Sequence, residues 1–208
     1  MGISPTTHAE SVDFVMLYIV AISVVLLLGI TATMIYFVFK YNRKKGHEPV
    51  DIHGNMLLEI IWILIPTLLV LSMFYFGYTS FRELREIPEN PLTVKVTARM
   101  WKFDFEYPNG KKTDTLYVPL NTGIDLEMRS MDVNHAFYIP AFRIKEDIIF
   151  GNPTHLYFTP KETGEYDVAC AEYCGLDHSA MYTAVKVIPE NEFTQWYGGE
   201  WRTVKKEN

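Results

Sequence analysis

Two long uncharged stretches, followed by a series of short alternating runs, divide this chain. Phe14 to Phe39 carries no Asp, Glu, Lys or Arg. As a helix rising about 1.5 Å per residue it reaches about 39 Å, more than the roughly 30 Å hydrocarbon core of a bilayer. Ile60 to Phe81 is equally free of charge and reaches about 33 Å. Core helices of soluble proteins seldom run uncharged for so long, so the pattern predicts two membrane spans, the first tilted. With their flanks they take residues 12–41 and 56–84, after a polar lead at residues 1–11 and around a loop at residues 42–55. The first stretch is too long for the apolar part of a signal peptide and no small-x-small site follows it, so it reads as an uncleaved anchor. Gly29, Thr31 and Thr33 offer a neighbouring helix close approach.

After a charged linker at residues 85–91, with Pro88 and Pro91 ending the helix, the period changes. Leu92 to Ala98, Asp125 to Arg129, His155 to Thr159, Glu165 to Ala169 and Ala184 to Ile188 alternate or are β-branched. Turn signals separate them at Pro108-Asn109-Gly110, Asn121-Thr122-Gly123 and Glu162-Thr163-Gly164. Residues 92–189 therefore read as an antiparallel β-sandwich or barrel. Trp101, Phe103, Phe105 and Tyr107 recur at every second place, which puts them on one face of a strand, as a wall of the core. Residues 190–208 read as a short amphipathic helix with Phe193, Trp196 and Trp201, then a polar end.

Charge orients this layout. Lys40 to Pro49 holds Lys40, Arg43, Lys44 and Lys45 against Glu48 alone, which places the loop in the cytoplasm and both termini, with the β domain, on the outer side. From Ile87 onward 18 acidic residues face 13 basic ones. That excess disfavours nucleic acid and suits a basic soluble carrier, steered in a salt-dependent way.

The chemistry lies in Cys170-Ala171-Glu172-Tyr173-Cys174-Gly175-Leu176-Asp177-His178-Ser179-Ala180-Met181. Thiolates and a thioether are soft donors that favour copper over calcium or magnesium. A mononuclear blue-copper site needs one Cys, so the second thiolate makes a two-copper site the economical reading, both sulfurs bridging and one His at each metal. His135, within a strand-like run, supplies the distant imidazole. Cysteine pairs outside the cytoplasm usually form disulfides, but a disulfide needs no His and Met at fixed offsets. Zinc gains little from Met181. His8 reads as solvent-exposed. His47, His53 and His155 have no partner at metal-ligand spacing and read as surface or structurally satisfied residues.

Cys170-Ala-Glu-Tyr-Cys174-Gly-x-x-His178-x-x-Met181, preceded by Asp132-Val-x-His135, resembles the CuA site of the cytochrome c oxidase subunit II family, and the likeness runs from about Ser11 to Trp196. It implies a two-helix transmembrane hairpin followed by an all-β cupredoxin-like Greek-key domain in an inner or plasma membrane. It also implies a binuclear copper centre held by Cys170, Cys174, His135, His178, Met181 and the Glu172 carbonyl. The Glu172 side chain would share a magnesium or manganese ion with the catalytic subunit. Trp101 aligns with the tryptophan through which electrons arrive from cytochrome c, and Glu59, ahead of Trp62 and Pro66, with the entrance of a proton pathway. Without the resemblance, Glu59 reads as an interfacial acid favoured by the helix dipole. Asp104, Glu106 and Asp132, close in sequence to these positions, are the expected donor-docking acids. Lys145-x-Asp147 resembles a family stretch near the catalytic subunit, but Phe150-Gly151-Asn152 stands where the family commonly has Pro-Gly-Arg.

The expected partners are haem-copper oxidase subunit I, further oxidase subunits, cytochrome c and membrane lipid. The expected function is delivery of single electrons to haem for reduction of oxygen to water, coupled to proton translocation. Three alternatives stand beside it: a copper-free quinol oxidase subunit, which typically lacks these ligands; a subunit of a copper-containing nitric oxide reductase; and a membrane-anchored copper-delivery protein, which needs neither two spans nor Glu59 nor Trp101.

Overall fold

The computed structural model describes residues 5–6, 8–46, 51 and 53–202; His47 and the polar end beyond residue 202 lie outside them. Helix α1 spans Ala9–Lys40 and α2 spans Met56–Arg85, running through Pro66. Each begins near an acid (Glu10, Glu59) and ends near bases (Lys40; Arg82 and Arg85), in the sense the helix dipole favours. Within residues 13–81 the two helices join through Tyr18 and Ser72, whose hydroxyls lie 2.7 Å apart. The Phe76 ring stands edge-on to Phe14 and Tyr18 at 5.6 and 5.2 Å. Ser23, Thr33 and Thr67 bond back to carbonyls one turn earlier, so their hydroxyls are satisfied in an apolar setting. Most of the remaining apolar side chains face outward, as expected for helices long and apolar enough to cross a membrane. Arg43–Lys45 forms a single 3-10 turn, started by Asn42 accepting from the Lys44 N–H and ended by Gly46 at φ +68°.

Among the described residues of the second unit are ten strands: β1 Leu92–Arg99, β2 Lys102–Glu106, β3 Lys112–Thr113, β4 Leu116–Pro119, β5 Ile124–Ser130, β6 His135–Ile139, β7 Ile144–Ile148, β8 Thr154–Phe158, β9 Gly164–Cys170 and β10 Tyr182–Ile188. They form two five-stranded sheets, ordered β3-β2-β1-β5-β8 and β4-β10-β9-β6-β7. The antiparallel expectation needs correcting, because β1 pairs with β5 and β4 with β10 in parallel. Hairpins give antiparallel neighbours, whereas a parallel neighbour requires a crossover. Here the chain leaves the first sheet for β4 and returns as β5 alongside β1, so the sheets are mixed.

The alternation read from the sequence is that of the core. Leu92, Val94, Val96 and Ala98 of β1 are buried, as are Phe103, Phe105 and Tyr107. Phe137 stands edge-on to Phe103 at 5.3 Å and to Phe105 at 6.0 Å, and each such side chain removed from water contributes about 1.5–3 kcal/mol. Helix α3, Glu190–Tyr197, closes the core with buried Phe193, while Trp196 stacks on Tyr117 at 4.5 Å beneath the Lys111 ammonium. The polar lead is less free than its composition suggests. Thr6 pairs with Pro160, its hydroxyl donates to the Phe142 carbonyl, and Lys161 N–H donates to the Pro5 carbonyl. His8 is half-buried rather than exposed, and desolvation lowers its pKa against the pull of Glu83 and Glu86.

Candidate metal centre

Strands β6 and β9 are neighbours, with Phe137 opposite Cys170. His135 opens β6 and Cys170 closes β9, so two adjacent strand ends bring an imidazole and a thiol to one end of the sheet. The loop from residue 171 to 181 then folds back through a 3-10 turn at His178–Ala180. The Cys170 N–H donates to the Met181 carbonyl, closing the loop immediately before β10.

The ligand atoms converge. The sulfurs of Cys170 and Cys174 are unbonded and 3.7 Å apart. His135 Nδ1 lies 3.8 Å from Cys170 Sγ, and His178 Nδ1 lies 3.5 Å from Cys174 Sγ. Met181 Sδ is 3.7 Å from Cys174 Sγ, and the Glu172 carbonyl oxygen is 3.3 Å from Cys170 Sγ. With metal–sulfur bonds of about 2.3 Å and metal–nitrogen bonds of about 2.0 Å, the sulfur–sulfur and sulfur–nitrogen separations correspond to angles at a metal of about 105–125°. The donor set therefore fits thiophilic metal, and an imidazole beside each sulfur fits two ions better than one.

Burial controls the protons here. It pushes the Cys174 thiol up to about 12, and the hydrogen bond and charge of Cys170 act in the same sense. A metal has to displace that proton to bind. His135 is fully buried, and its Nε2 lies 2.8 Å from Asp132 Oδ1. Asp132 also accepts from the N–H groups of Met100 and Val133, both at 2.7 Å. Desolvation opposes ionisation of Asp132, yet these hydrogen bonds together hold its carboxyl below the usual range. With Nε2–H donating to Asp132, Nδ1 is left to face Cys170, as a metal-binding imidazole requires.

The other expected residues take up varied positions. Trp101 is half-buried against the loop, its Nε1–H donating to the Cys174 carbonyl at 3.3 Å. Asp104 pairs with Arg99 at 2.8 Å and Lys102 at 2.9 Å, and Glu106 with Lys112 at 3.1 Å. The Glu172 side chain points to Lys145, which also meets Asp147; the separations are 2.7 and 2.8 Å. Asp147 and Glu172 together raise the Lys145 pKa. Glu59 lies exposed in the first turn of α2, where Asn55 accepts from the Leu58 N–H. His155 pairs with Asp125 and stacks on Tyr157, and His53 is exposed. Sequence reasoning missed the link from Asp132 to the His135 ring, although only two residues separate them and the carboxylate-x-x-His spacing was its signal.

Known proteins resemble both the helical part and the β domain. The family described as cytochrome c oxidase subunit II, periplasmic domain, matches residues 110–188, and the corresponding transmembrane domain matches residues 1–82. Cytochrome c oxidase subunit 2 of Alkalihalophilus pseudofirmus is 30% identical over 87% of this chain, which spans 56% of that protein's length. The subunit 2 of Cereibacter sphaeroides is 26% identical over 88% of this chain and 72% of its own length. The crystal structure of the periplasmic domain of subunit II of cytochrome oxidase from Bradyrhizobium japonicum is similar at a TM-score of 0.50. It is 32% identical and covers 53% of this chain and 94% of its own.

Proposed function

The chain belongs to the cytochrome c oxidase subunit II family, with membrane-anchoring helices and a cupredoxin-like domain, and from that premise we propose that it is the electron-accepting subunit of a cytochrome c oxidase. The observation that carries this is the pair of unbonded thiols 3.7 Å apart with an imidazole beside each. When bound, a binuclear copper centre supplies one-electron storage shared over two ions, with little change of geometry.

The residues divide the work. Cys170, Cys174, His135 and His178 would hold the copper ions, with Met181 and the Glu172 carbonyl as weaker donors. Asp132 fixes the His135 ring, and the strand ends keep the donors in place, so little rearrangement accompanies transfer. Trp101 links the outer face to the ligand loop through its bond to the Cys174 carbonyl and is where electrons from cytochrome c reach the chain. Electrons leave for haem in the catalytic subunit, where oxygen is reduced to water with proton translocation. The Glu172 carboxylate, which meets Lys145 here, would help hold a magnesium or manganese ion shared with that subunit on assembly, and Glu59 opens a proton pathway into it. The basic loop lies in the cytoplasm and the copper domain on the outer side.

Rapid mixing of the oxidase complex with reduced cytochrome c tests this. Copper should be reduced before haem, and Trp101→Phe should slow that step at least tenfold with copper content unchanged. Haem reduction that precedes copper reduction would refute it.

A further inference from the structure

The side-chain donors of the metal centre lie beneath the surface. Cys170 is 8% exposed and Cys174 3%, His135 and Met181 are fully buried, and His178 is half-buried. An incoming ion therefore gains from an outer donor that can take it from water and pass it inward.

Two thioethers outside the ligand set are placed for this. Met100 follows β1 and Met131 follows β5, and the parallel register that sets Ala98 opposite Ser130 brings both to the same end of one sheet. The Met131 N–H donates to the Ala98 carbonyl at 3.0 Å, two residues before Met100. Both side chains line one open cleft of about 870 Å³, and they are 45% and 66% exposed, so core packing does not call for them. Met100 also reaches the ligand loop. A Cβ placed on Gly175, the residue after Cys174, would stand 3.6 Å from Met100 Sδ. The cleft is acidic on balance. Asp104, Glu106, Asp114 and Asp132 line it against Arg99 and Lys112, and the acids stay in excess even with Lys102 reaching Asp104, a charge that favours arrival of a cation.

We propose that Met100 and Met131 form a capture site for Cu(I), distinct from the centre that finally holds it, through which copper is loaded. A thioether is a soft donor that suits Cu(I) and binds without shedding a proton, whereas zinc gains little from it. Loading is ligand exchange with no change of oxidation state. Copper arrives and stays as Cu(I), the bonds to thioether break as bonds to the Cys170 and Cys174 thiolates form, and the thiol protons pass to water. The inference rests on the copper reading above. Two observations carry it: the buried donors leave an ion no soft contact at the surface, and two exposed sulfurs share a cleft that reaches the ligand loop.

The test is the rate of metal transfer to the metal-free full chain in detergent, under anaerobic reducing conditions, from Cu(I) held by bicinchoninate and, separately, from Zn(II) held by a coloured chelator. The pair Met100→Leu with Met131→Leu removes both sulfurs at nearly constant volume. It should slow Cu(I) transfer about fivefold or more, as a barrier that loses a weak contact does, with the final copper count unchanged. Zn(II) transfer should stay within about twofold of the parent, because zinc gains little from thioether. Cu(I) transfer at the parent's rate would overturn the proposal. Equal slowing of both ions would also overturn it, by assigning the effect to the shape of the cleft rather than to sulfur. Failure of the copper reading shows differently: an unmodified chain that takes up no copper removes that reading and the capture site together.

Discussion

Asp132→Asn keeps the shape of the side chain and removes its charge, and the geometry around the carboxylate dictates the consequence. Three donors converge on it: the Met100 N–H on Oδ2, and the Val133 N–H and His135 Nε2 on Oδ1, at 2.7, 2.7 and 2.8 Å. An amide offers one oxygen and one NH2, so in either orientation at least one donor faces another donor. If the NH2 turns to the ring, relief comes when the imidazole proton moves to Nδ1, the nitrogen that faces Cys170 Sγ at 3.8 Å. A protonated Nδ1 cannot hold a metal. A hydrogen bond to a charged group is worth about 1.5–3 kcal/mol, which is about 10- to 150-fold in affinity. Loss of an outer-shell partner of a metal-binding His typically costs about 10- to 100-fold. The variant should therefore bind copper about 10- to 100-fold more weakly. Competition against a chelator of known affinity, with the full chain in detergent, measures this, and thermal unfolding of the metal-free variant controls for folding. A folded variant with copper affinity within about twofold of the parent would refute the assignment of Asp132 as the group that orients His135.

The same loop yields two more predictions. Gly175 sits at φ +119°, and an added Cβ would meet Trp101 Nε1 at 3.3 Å and Cζ2 at 3.4 Å; Gly175→Ala should cost about 1–2 kcal/mol in chemical denaturation and slow donor oxidation by displacing the indole. Because burial holds the Cys174 thiol up to about 12, it is protonated throughout the neutral range and must lose that proton on metal binding. Apparent copper affinity of the metal-free chain should then climb between about pH 6 and 8, about tenfold per unit for each proton released, and an affinity flat over that range would contradict the assignment.

Much of this architecture is legible in the residues, for identifiable reasons. Long uncharged runs and period-two alternation report burial directly, and Phe103, Phe105 and Tyr107 lie in the core on that basis. The spacing of Cys170, Cys174, His178 and Met181 shows in sequence because one loop carries all four. Alternation reports which face a side chain takes but not which strand lies beside it, so the parallel β1–β5 and β4–β10 pairs were beyond its reach. Charges are harder still. Asp104, Glu106 and Asp132 look alike as acids near the site, but two are held in ion pairs across β1, β2 and β3 and one is turned inward to an imidazole. Only the register of β1 against β2 and β2 against β3 brings Arg99 to Asp104 and Lys112 to Glu106. The half-burial of His8 has a similar origin, since the pairing of Thr6 with Pro160 draws the lead onto the domain.

Electron paramagnetic resonance of the full-length chain in detergent, with a copper count on the same sample, bears most directly on the central claim. The arrangement of two adjacent unbonded thiols with an imidazole beside each predicts two coppers per chain and one unpaired electron shared over both, seen as a seven-line hyperfine pattern. One copper per chain with a four-line pattern, or a copper-free chain with Cys170 and Cys174 joined as a disulfide, would contradict it.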